Sequence, residues 1–298
     1  MKLVIIGSIA IDDVQTPAGK RHDSMGGSAI YASIAASKLV KPAIVGVIGA
    51  DYPQKTIDLL IKNRIDLQGL EKKEGNTFRW KGIYTNLNKA DTLDTQLNVF
   101  ADFNPKIPKE YINPKTLFLG NIHPQLQLDV IKKIGKPKIV ALDTMNFWIT
   151  SSINILIKAI KKVDILFINE DEIKLLTGKE NVYEAGDNVL KMGPEYVIIK
   201  RGEYGAIAYN KKMTFFVPVY PVKKVIDPTG AGDSFAGGFL GYITKAKRLN
   251  AKTIKNAMIY GTITASFNIE SFSFDRLQNT SIECVDNRIK LLKESMKV

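Results

Sequence analysis

Short apolar, β-branched runs recur along the chain, separated by longer segments whose apolar residues fall at helical spacing. The runs Leu3–Gly7, Ala43–Ile48, Thr116–Leu119, Lys138–Leu142, Ile165–Ile168 and Tyr196–Lys200 predict strands. The segments Ser28–Leu39, Pro53–Asn63, Leu126–Ile134, Ser152–Lys161, Tyr183–Lys191, Gly232–Thr244, Ala251–Ser266 and Cys284–Lys293 predict helices. Near-continuous apolar strands alternating with amphipathic helices predict an α/β fold: a mostly parallel, Rossmann-like sheet in three layers, with helices on both faces. Ligands of such sheets bind beyond the carboxyl ends of the strands, so the residues that follow each strand are the ones to examine.

Two stretches interrupt this alternation, residues 11–25 and 77–103. The first holds Pro17, Gly19 and many polar residues; the second reads as strand, turn and strand around Phe78–Tyr84 and Gln96–Phe100. The organisation expected is one domain over residues 1–298 with these segments inserted as a small β lid, which would exclude water from a site beneath it. A surface hairpin with no such role has the same composition.

Composition narrows the chemistry. With 298 residues, 45% of them hydrophobic, the chain can bury a substantial core. It holds no apolar run of the ~20 residues that a spanning helix requires, and its first apolar run reads as a strand and not as a signal peptide. One cysteine, Cys284, excludes an intrachain disulfide, and two histidines are too few for a histidine-based metal site. A cytoplasmic enzyme is expected. The net charge of +12 comes from 35 lysines and only 7 arginines. Base-edge recognition favours arginine, and the lysines are scattered pairs with no aromatic platform beside them. The expected partners are small molecules, without nucleic acid or membrane, and a homodimer is left open. A positive field also gathers polyphosphates.

The richest chemistry lies in Asp227-Pro228-Thr229-Gly230-Ala231-Gly232-Asp233-Ser234, which runs into Phe235-Ala236-Gly237-Gly238-Phe239-Leu240. Small residues at 230–232 let N–H groups converge at a turn that opens a helix. Such a helix start presents unpaired donors and about half a positive charge to an anion. A phosphoryl group in transfer spreads charge over three oxygens, which fixed N–H donors stabilise. Gly230, Ala231, Gly232 and Asp233 are therefore the candidate anion hole. The dipole alone favours Asp233 at a first turn. Beside a phosphate-binding turn it can also take the proton of an attacking hydroxyl, although a reference pKa of about 3.9 makes it a weak base. Gly237 and Gly238 permit close approach of another element.

The run from Asp227 through Leu240 resembles the second signature of the ribokinase-like family, the PfkB carbohydrate kinases, and the likeness extends from Leu3 to about Ser273. The resemblance implies transfer of the γ-phosphoryl of ATP to a hydroxyl of a sugar or nucleoside, with Mg²⁺ and with Asp233 as catalytic base. It implies that Asp12, at the family's spacing in Gly7-Ser8-Ile9-Ala10-Ile11-Asp12, binds acceptor hydroxyls; a carboxylate can accept two, which suits a vicinal diol. Asp12-Asp13 reads equally as a solvated turn. Gly26-Gly27 looks like the first signature and would bring the acceptor close to the backbone; it also reads as a turn capped by Ser28. Here the chain departs from the pattern: Tyr31 replaces the usual asparagine, and Val40 stands where glycine is common. Tyr31 either faces an acceptor ring or fills space, and an aromatic there inclines the reading towards a nucleoside such as adenosine over a free pentose or hexose.

Other positions follow the same resemblance. Asn169-Glu170-Asp171-Glu172 is similar to the family's Asn-x-x-Glu motif, which would place Asn169 and Glu172 on magnesium, largely through water; it is equally an acidic helix start. Lys200-Arg201-Gly202-Glu203-Tyr204-Gly205 resembles the nucleotide-phosphate turn, giving Lys200, Gly202 and Gly205. Asn256 matches a position near adenine or ribose, and Asp227 one associated with a monovalent cation, usually potassium. His123 and Asn146 each follow a strand and are candidates for the edge of the acceptor pocket. Trp80 and Trp148 read as packing residues. The alternative is a non-catalytic sugar- or nucleotide-binding regulator on the same fold, which would be expected to lack Asp233 or the glycines. An NAD(P) dehydrogenase would carry Gly-x-Gly-x-x-Gly after the first strand, where this chain has Gly7-Ser8-Ile9-Ala10-Ile11-Asp12.

Overall fold

In the computed structural model, which describes residues 2–297, the elements follow in order β1 (Leu3–Ile6), β2 (Ala10–Thr16), β3 (Gly19–Gly26), α1 (Ser28–Ser37), β4 (Pro42–Ile48), α2 (Gln54–Lys62), β5 (Asp66–Lys72), β6 (Phe78–Asn86), β7 (Lys89–Gln96), β8 (Thr116–Leu119), α3 (Pro124–Lys133), β9 (Ile139–Asp143), α4 (Asn146–Ser151) and α5 (Ile153–Ile160). They continue with β10 (Ile165–Asn169), α6 (Glu170–Thr177), α7 (Val182–Met192), β11 (Tyr196–Lys200), β12 (Ala206–Asn210), β13 (Met213–Val217), α8 (Ala231–Lys245), α9 (Ala251–Asn268), α10 (Asp275–Gln278) and α11 (Ile282–Ser295). Met1 and Val298, the end points of the expected domain, lie outside the described residues. Among the described residues no helix is long and apolar enough to cross a membrane.

Nine strands form one sheet in the order β13-β12-β11-β10-β9-β8-β1-β4-β5. From β11 to β5 every pairing is parallel, and β12 and β13 close the other edge antiparallel. Because side chains alternate across a strand, β1 feeds two cores. Leu3 and Ile5 join one with α1, α8 and α9, while Val4 and Ile6 join the other with α3, α5 and α7. The expected parallel sheet in three layers is present, and each strand and helix expected in the α/β body has a counterpart, with ends displaced by up to about two residues. The second strand expected at Gln96–Phe100 lies earlier instead, at Lys89–Gln96, and Asn98–Phe100 form a single 3-10 turn.

Both interrupting stretches are accounted for by a second sheet, β3-β2-β6-β7. Residues 11–25, expected as part of a small β lid without defined strands, form the antiparallel pair β2–β3, and β2 runs parallel to β6. Strands β5, β12 and β13 carry no apolar run long enough to announce them; they lie at or next to sheet edges and are partly exposed.

The start of α8 is positioned by close packing against α1 and α9. A Cβ on Gly237 would lie 2.6 Å from Ala32 Cα, and one on Gly238 would lie 2.9 Å from Thr264 Cγ2. Helix axes can approach this closely only where side chains vanish. Gly237→Ala is expected to lower stability by about 1–3 kcal/mol by overpacking, read as a fall in the urea midpoint. Gly241→Ala, whose nearest neighbour would be Ala36 Cα at 3.2 Å, should cost less.

Candidate active site

Three parts of the chain meet at the N-terminal end of α8. The turn itself begins at Gly230, whose φ of 73° is the left-handed conformation that glycine adopts without strain. A Cβ there would also strike the ring of Tyr31. Ala231 N–H donates to Pro228 O and Ser234 N–H to Gly230 O (3.1 and 2.8 Å). Of the four amides expected in the anion hole, Ala231 is therefore engaged within the turn, while those of Gly230, Gly232 and Asp233 have no partner among the described residues. Asn268, buried on α9, braces the turn: its Nδ2 donates to Thr229 O at 2.7 Å and its Oδ1 accepts from Ser234 Oγ at 3.1 Å.

Asp233 lies on the first turn of α8. Burial and the nearby Asp143 push its pKa up to about 7, against the opposing pull of Lys200. The weak base anticipated from the reference value becomes one matched to neutral pH. Lys200, at the end of β11, reaches under the turn: its Nζ would lie 3.2 Å from a Cβ on Gly232. It forms a two-pronged ion pair with Asp143, at 2.8 and 3.1 Å. Burial works against the ammonium, but Asp143 and Glu172, with Asp233, hold its pKa above the ordinary lysine value. A cation at a helix N-terminus is disfavoured by the dipole, so this arrangement makes sense around an anion.

On the other side of the turn lies Asp12 on β2, 4% exposed. Burial, then Asp227 and Asp233, raise its carboxyl well above the usual range. Gly26, at the end of β3, leaves the space that Asp12 Oδ2 occupies. Gly27 caps α1 with φ 95°, where a Cβ would collide with the Ser8 carbonyl. Ser8 and Ser28 lock this corner: each backbone N–H donates to the other's hydroxyl at 3.1 Å. Asp227 is fully buried; its carboxylate accepts from Thr229 N–H (2.9 Å) and Ser273 N–H (3.2 Å), and burial raises its pKa nonetheless.

Tyr31 does not present an open face. It is 1% exposed, stacks under Gly230 and meets Phe274 edge-on at 6.0 Å between centroids. Its hydroxyl is buried without a hydrogen-bond partner among the described residues, within electrostatic reach of Asp12.

Asn169 and Glu172 close a capping box on α6: Asn169 N–H donates to Glu172 Oε2, and Glu172 N–H to Asn169 Oδ1, both at 2.8 Å. The acidic helix start and the family motif are thus the same residues. Burial pushes Glu172 up to about 7, with Lys200 pulling the other way. Among the described residues, no three His, Cys, Asp or Glu side chains gather to hold a metal ion.

A cavity of about 520 Å³ is lined by Lys200, Gly202, Gly205 and Gly232 and by apolar residues that include Val222, Phe235 and Ile269. Gly205 has φ 84°, and a Cβ there would meet the Val217 carbonyl. Asn256 is not brought to this cavity. Its Nδ2 donates to Lys252 O, and the α9 residues on the wall are Thr262, Ala265 and Ser266, about two turns further on. His123 caps α3, its Nδ1 accepting from Gln125 N–H at 3.1 Å, with Trp148 edge-on at 5.0 Å. Asn146 is exposed and accepts from Phe147 N–H. No hydrogen bond links either residue to Asp12. Trp80 and Trp148 are held by Thr92 and Asn121, in keeping with packing roles.

Sequence reasoning missed Asp143, the bracing Asn268, and Arg201, whose Nε donates to Glu170 at 2.6 Å and ties the Gly202 turn to α6. Asp143 directly follows an apolar strand run, which is the one signal that could have found it.

Comparison with known proteins agrees with this geometry. The pattern of the pfkB family carbohydrate kinases matches residues 2–278. The chain is 32% identical over 258 residues to a cytidine kinase of Thermococcus kodakarensis, covering 84% of this chain and 91% of that one. It is 26% identical over 290 residues to a nucleoside kinase of Methanocaldococcus jannaschii, covering 91% of each. The crystal structure of a Methanocaldococcus jannaschii nucleoside kinase superposes with a TM-score of 0.79 over 97% of this chain and 98% of that one, at 22% identity, a likeness of fold. With a family match across nearly its whole length and a site built on the family's signature turn, the chain belongs to the pfkB family of carbohydrate kinases.

Proposed function

We propose that this chain transfers the γ-phosphoryl of ATP to a hydroxyl of a nucleoside, with Asp233 as base. The observation that carries the reading is Asp233 on the first turn of α8, its pKa raised to about 7, within electrostatic reach both of Lys200, which lines the cavity, and of Asp12. The acceptor hydroxyl approaches from the Asp12 side, its neighbouring hydroxyls held by the Asp12 carboxylate beside Gly26 and Gly27. Asp233 accepts the proton as the oxygen attacks the γ-phosphorus in line and the bond to the β,γ-bridging oxygen breaks, ADP leaving with that electron pair. The free amides of Gly230 and Gly232, with Lys200, take up the charge that develops on the phosphoryl oxygens. The nucleotide's polyphosphate lies along Lys200, Gly202 and Gly205.

Magnesium would be carried by the phosphates and by water, with the Glu172 carboxylate and Asn169 reached through water; it would neutralise phosphate charge. The lack of a preformed carboxylate cage suits an ion that keeps its waters. A potassium ion would be held at Asp227, beside the acidic Asp12. Preference for a nucleoside no longer rests on an aromatic face at Tyr31, which is buried; it is supported by the relatives named cytidine kinase and nucleoside kinase. Cytidine accordingly joins adenosine at the head of the acceptors to test. Tyr31 serves through its hydroxyl, an unpartnered group beside Asp12 that an acceptor can satisfy.

ADP release with Mg²⁺ and K⁺ across nucleosides, pentoses and hexoses tests the reading. Acceptor-dependent turnover is expected, strongest with a nucleoside; ATP binding without turnover on any acceptor would overturn it. Asp233→Asn should lower kcat by about 10²–10⁴ while ATP affinity persists. It should also raise Tm. A carboxyl whose folded pKa is raised to about 7 costs stability progressively as pH rises from its unfolded value of about 3.9 to about 7, the cost being complete above that, so the gain in Tm should be larger at pH 8 than at pH 5.

Since Asp233 must be ionised to accept a proton, kcat/KM should rise with pH and level off above about 7. A profile already flat at pH 5 would exclude Asp233 as the titrating base. Tyr31→Phe should raise the acceptor KM with little effect on ATP affinity. Its Tm should not fall, because the hydroxyl it removes is a buried group without a partner.

A further inference from the structure

The cavity beside Lys200 has walls from two different sheets. The body contributes Gly202, Glu203, Val222, Phe235 and Ile269; the small sheet contributes Tyr84, Leu87, Asn88 and Ala90, at the end of β6 and the turn into β7. Two hydrogen bonds hold the walls together. Asn88 Nδ2 donates to Glu203 Oε1 at 3.0 Å, and the hydroxyls of Tyr84 and Thr229 meet at 3.2 Å. Asn88 is itself set by its N–H donating to Asn86 Oδ1 at 2.9 Å. Gly202 makes room for it, since a Cβ there would lie 2.5 Å from Asn88 Oδ1. Leu87, at the tip of the hairpin, is 36% exposed, an apolar side chain on the cavity wall with part of its surface still open.

We propose that the β6–β7 hairpin is a wall of the donor site, in which Asn88 positions the hairpin by holding Glu203 and the nucleotide's base and ribose lie between Leu87 and the apolar body wall. The proposal rests on reading this cavity as the donor site. It has a consequence for the acceptor. Strand β6 is paired in register with β2, Trp80 opposite Asp12, so one sheet carries both the acceptor carboxylate and a wall of the donor site. Donor binding therefore fixes the element that presents Asp12, before any acceptor arrives.

Hydrogen exchange with Mg²⁺ and a non-hydrolysable β,γ-imido analogue of ATP, without acceptor, tests this on the full chain. Wild type should show slowed exchange at residues 84–92 together with the turns at 202–205 and 230–234. Asn88→Asp sets a carboxylate against Glu203; it should abolish protection of the hairpin, leave the turns protected, and weaken analogue affinity about two- to tenfold, the range of a single hydrogen bond. Adding Glu203→Gln to that variant restores a donor–acceptor pair and should recover both. A purely structural role for Asn88 would not give this rescue. Protection of both turns with an unchanged hairpin would overturn the proposal while leaving the kinase reading intact. Absence of protection everywhere would overturn both.

Discussion

One buried ammonium serves a site crowded with carboxyl groups, and much else follows from that imbalance. Lys200 pairs directly with Asp143 and feels Glu172 and Asp233. Asp12 and Asp227 lie on the far side of the same turn, with no basic side chain among the causes that set either pKa. Ionising all five acids around one cation in a poorly hydrated site would be costly. The fold answers by raising the pKa of Asp12, Asp227, Glu172 and Asp233, each chiefly through burial. The same imbalance gives a physical reason for cations to enter with the substrates, because a polyphosphate adds negative charge to a site already short of positive charge. Burying these carboxyls costs stability, and under the proposed function that cost holds a base near neutral pH.

That imbalance can persist only if the turn is held rigidly. Glycines at 237, 238 and 241 bring α8 against α1 and α9 at backbone distance. Asn268 then fixes the Thr229 carbonyl and the Ser234 hydroxyl from α9, while Ser8 and Ser28 join the end of β1 to the start of α1. The free amides are thereby fixed by packing in three helices and not by the loop itself. This is the preorganisation that charge stabilisation requires.

How much of this could be read from the sequence depends on the kind of signal each part leaves. The sheet was legible because buried parallel strands are apolar on both faces, and the turn was legible because several constrained small residues sit side by side. Asp12, Gly26 and Gly27 followed from the resemblance to the family's motifs; the residues alone read equally as turns. Residues 11–25 were legible only as part of a small β lid; the bounds of β2 and β3 were not, since Asp12-Asp13 interrupts the apolar pattern of β2 and most of β3 is exposed. Asp143 was missed because a single aspartate after a strand has no local pattern; only its partner Lys200, 57 residues away, gives it meaning. Tyr31 could be read as a platform or as filler, and only packing beneath Gly230 decides for burial. Asn256 lay on the right helix but about two turns from the cavity, an error that helical periodicity cannot expose without knowing which face meets the sheet. For Asn169 and Glu172, the structural and chemical readings were never exclusive: the capping box that starts α6 also aims a carboxyl at Lys200.

The lid shows why an enzyme of this kind gains from building its cover as a sheet. A loop can close over one ligand, but a hydrogen-bonded ladder transmits position across strands. Asp12 on β2 and Tyr84 on β6 lie on neighbouring strands that pair directly, and Tyr84 reaches Thr229 in the turn before α8. Any displacement of the sheet that withdraws Asp12 from the acceptor also withdraws Tyr84 from that turn. Under the proposed function, a sheet that keeps both contacts would exclude water from the transferred phosphoryl group as well as orient the hydroxyl that receives it.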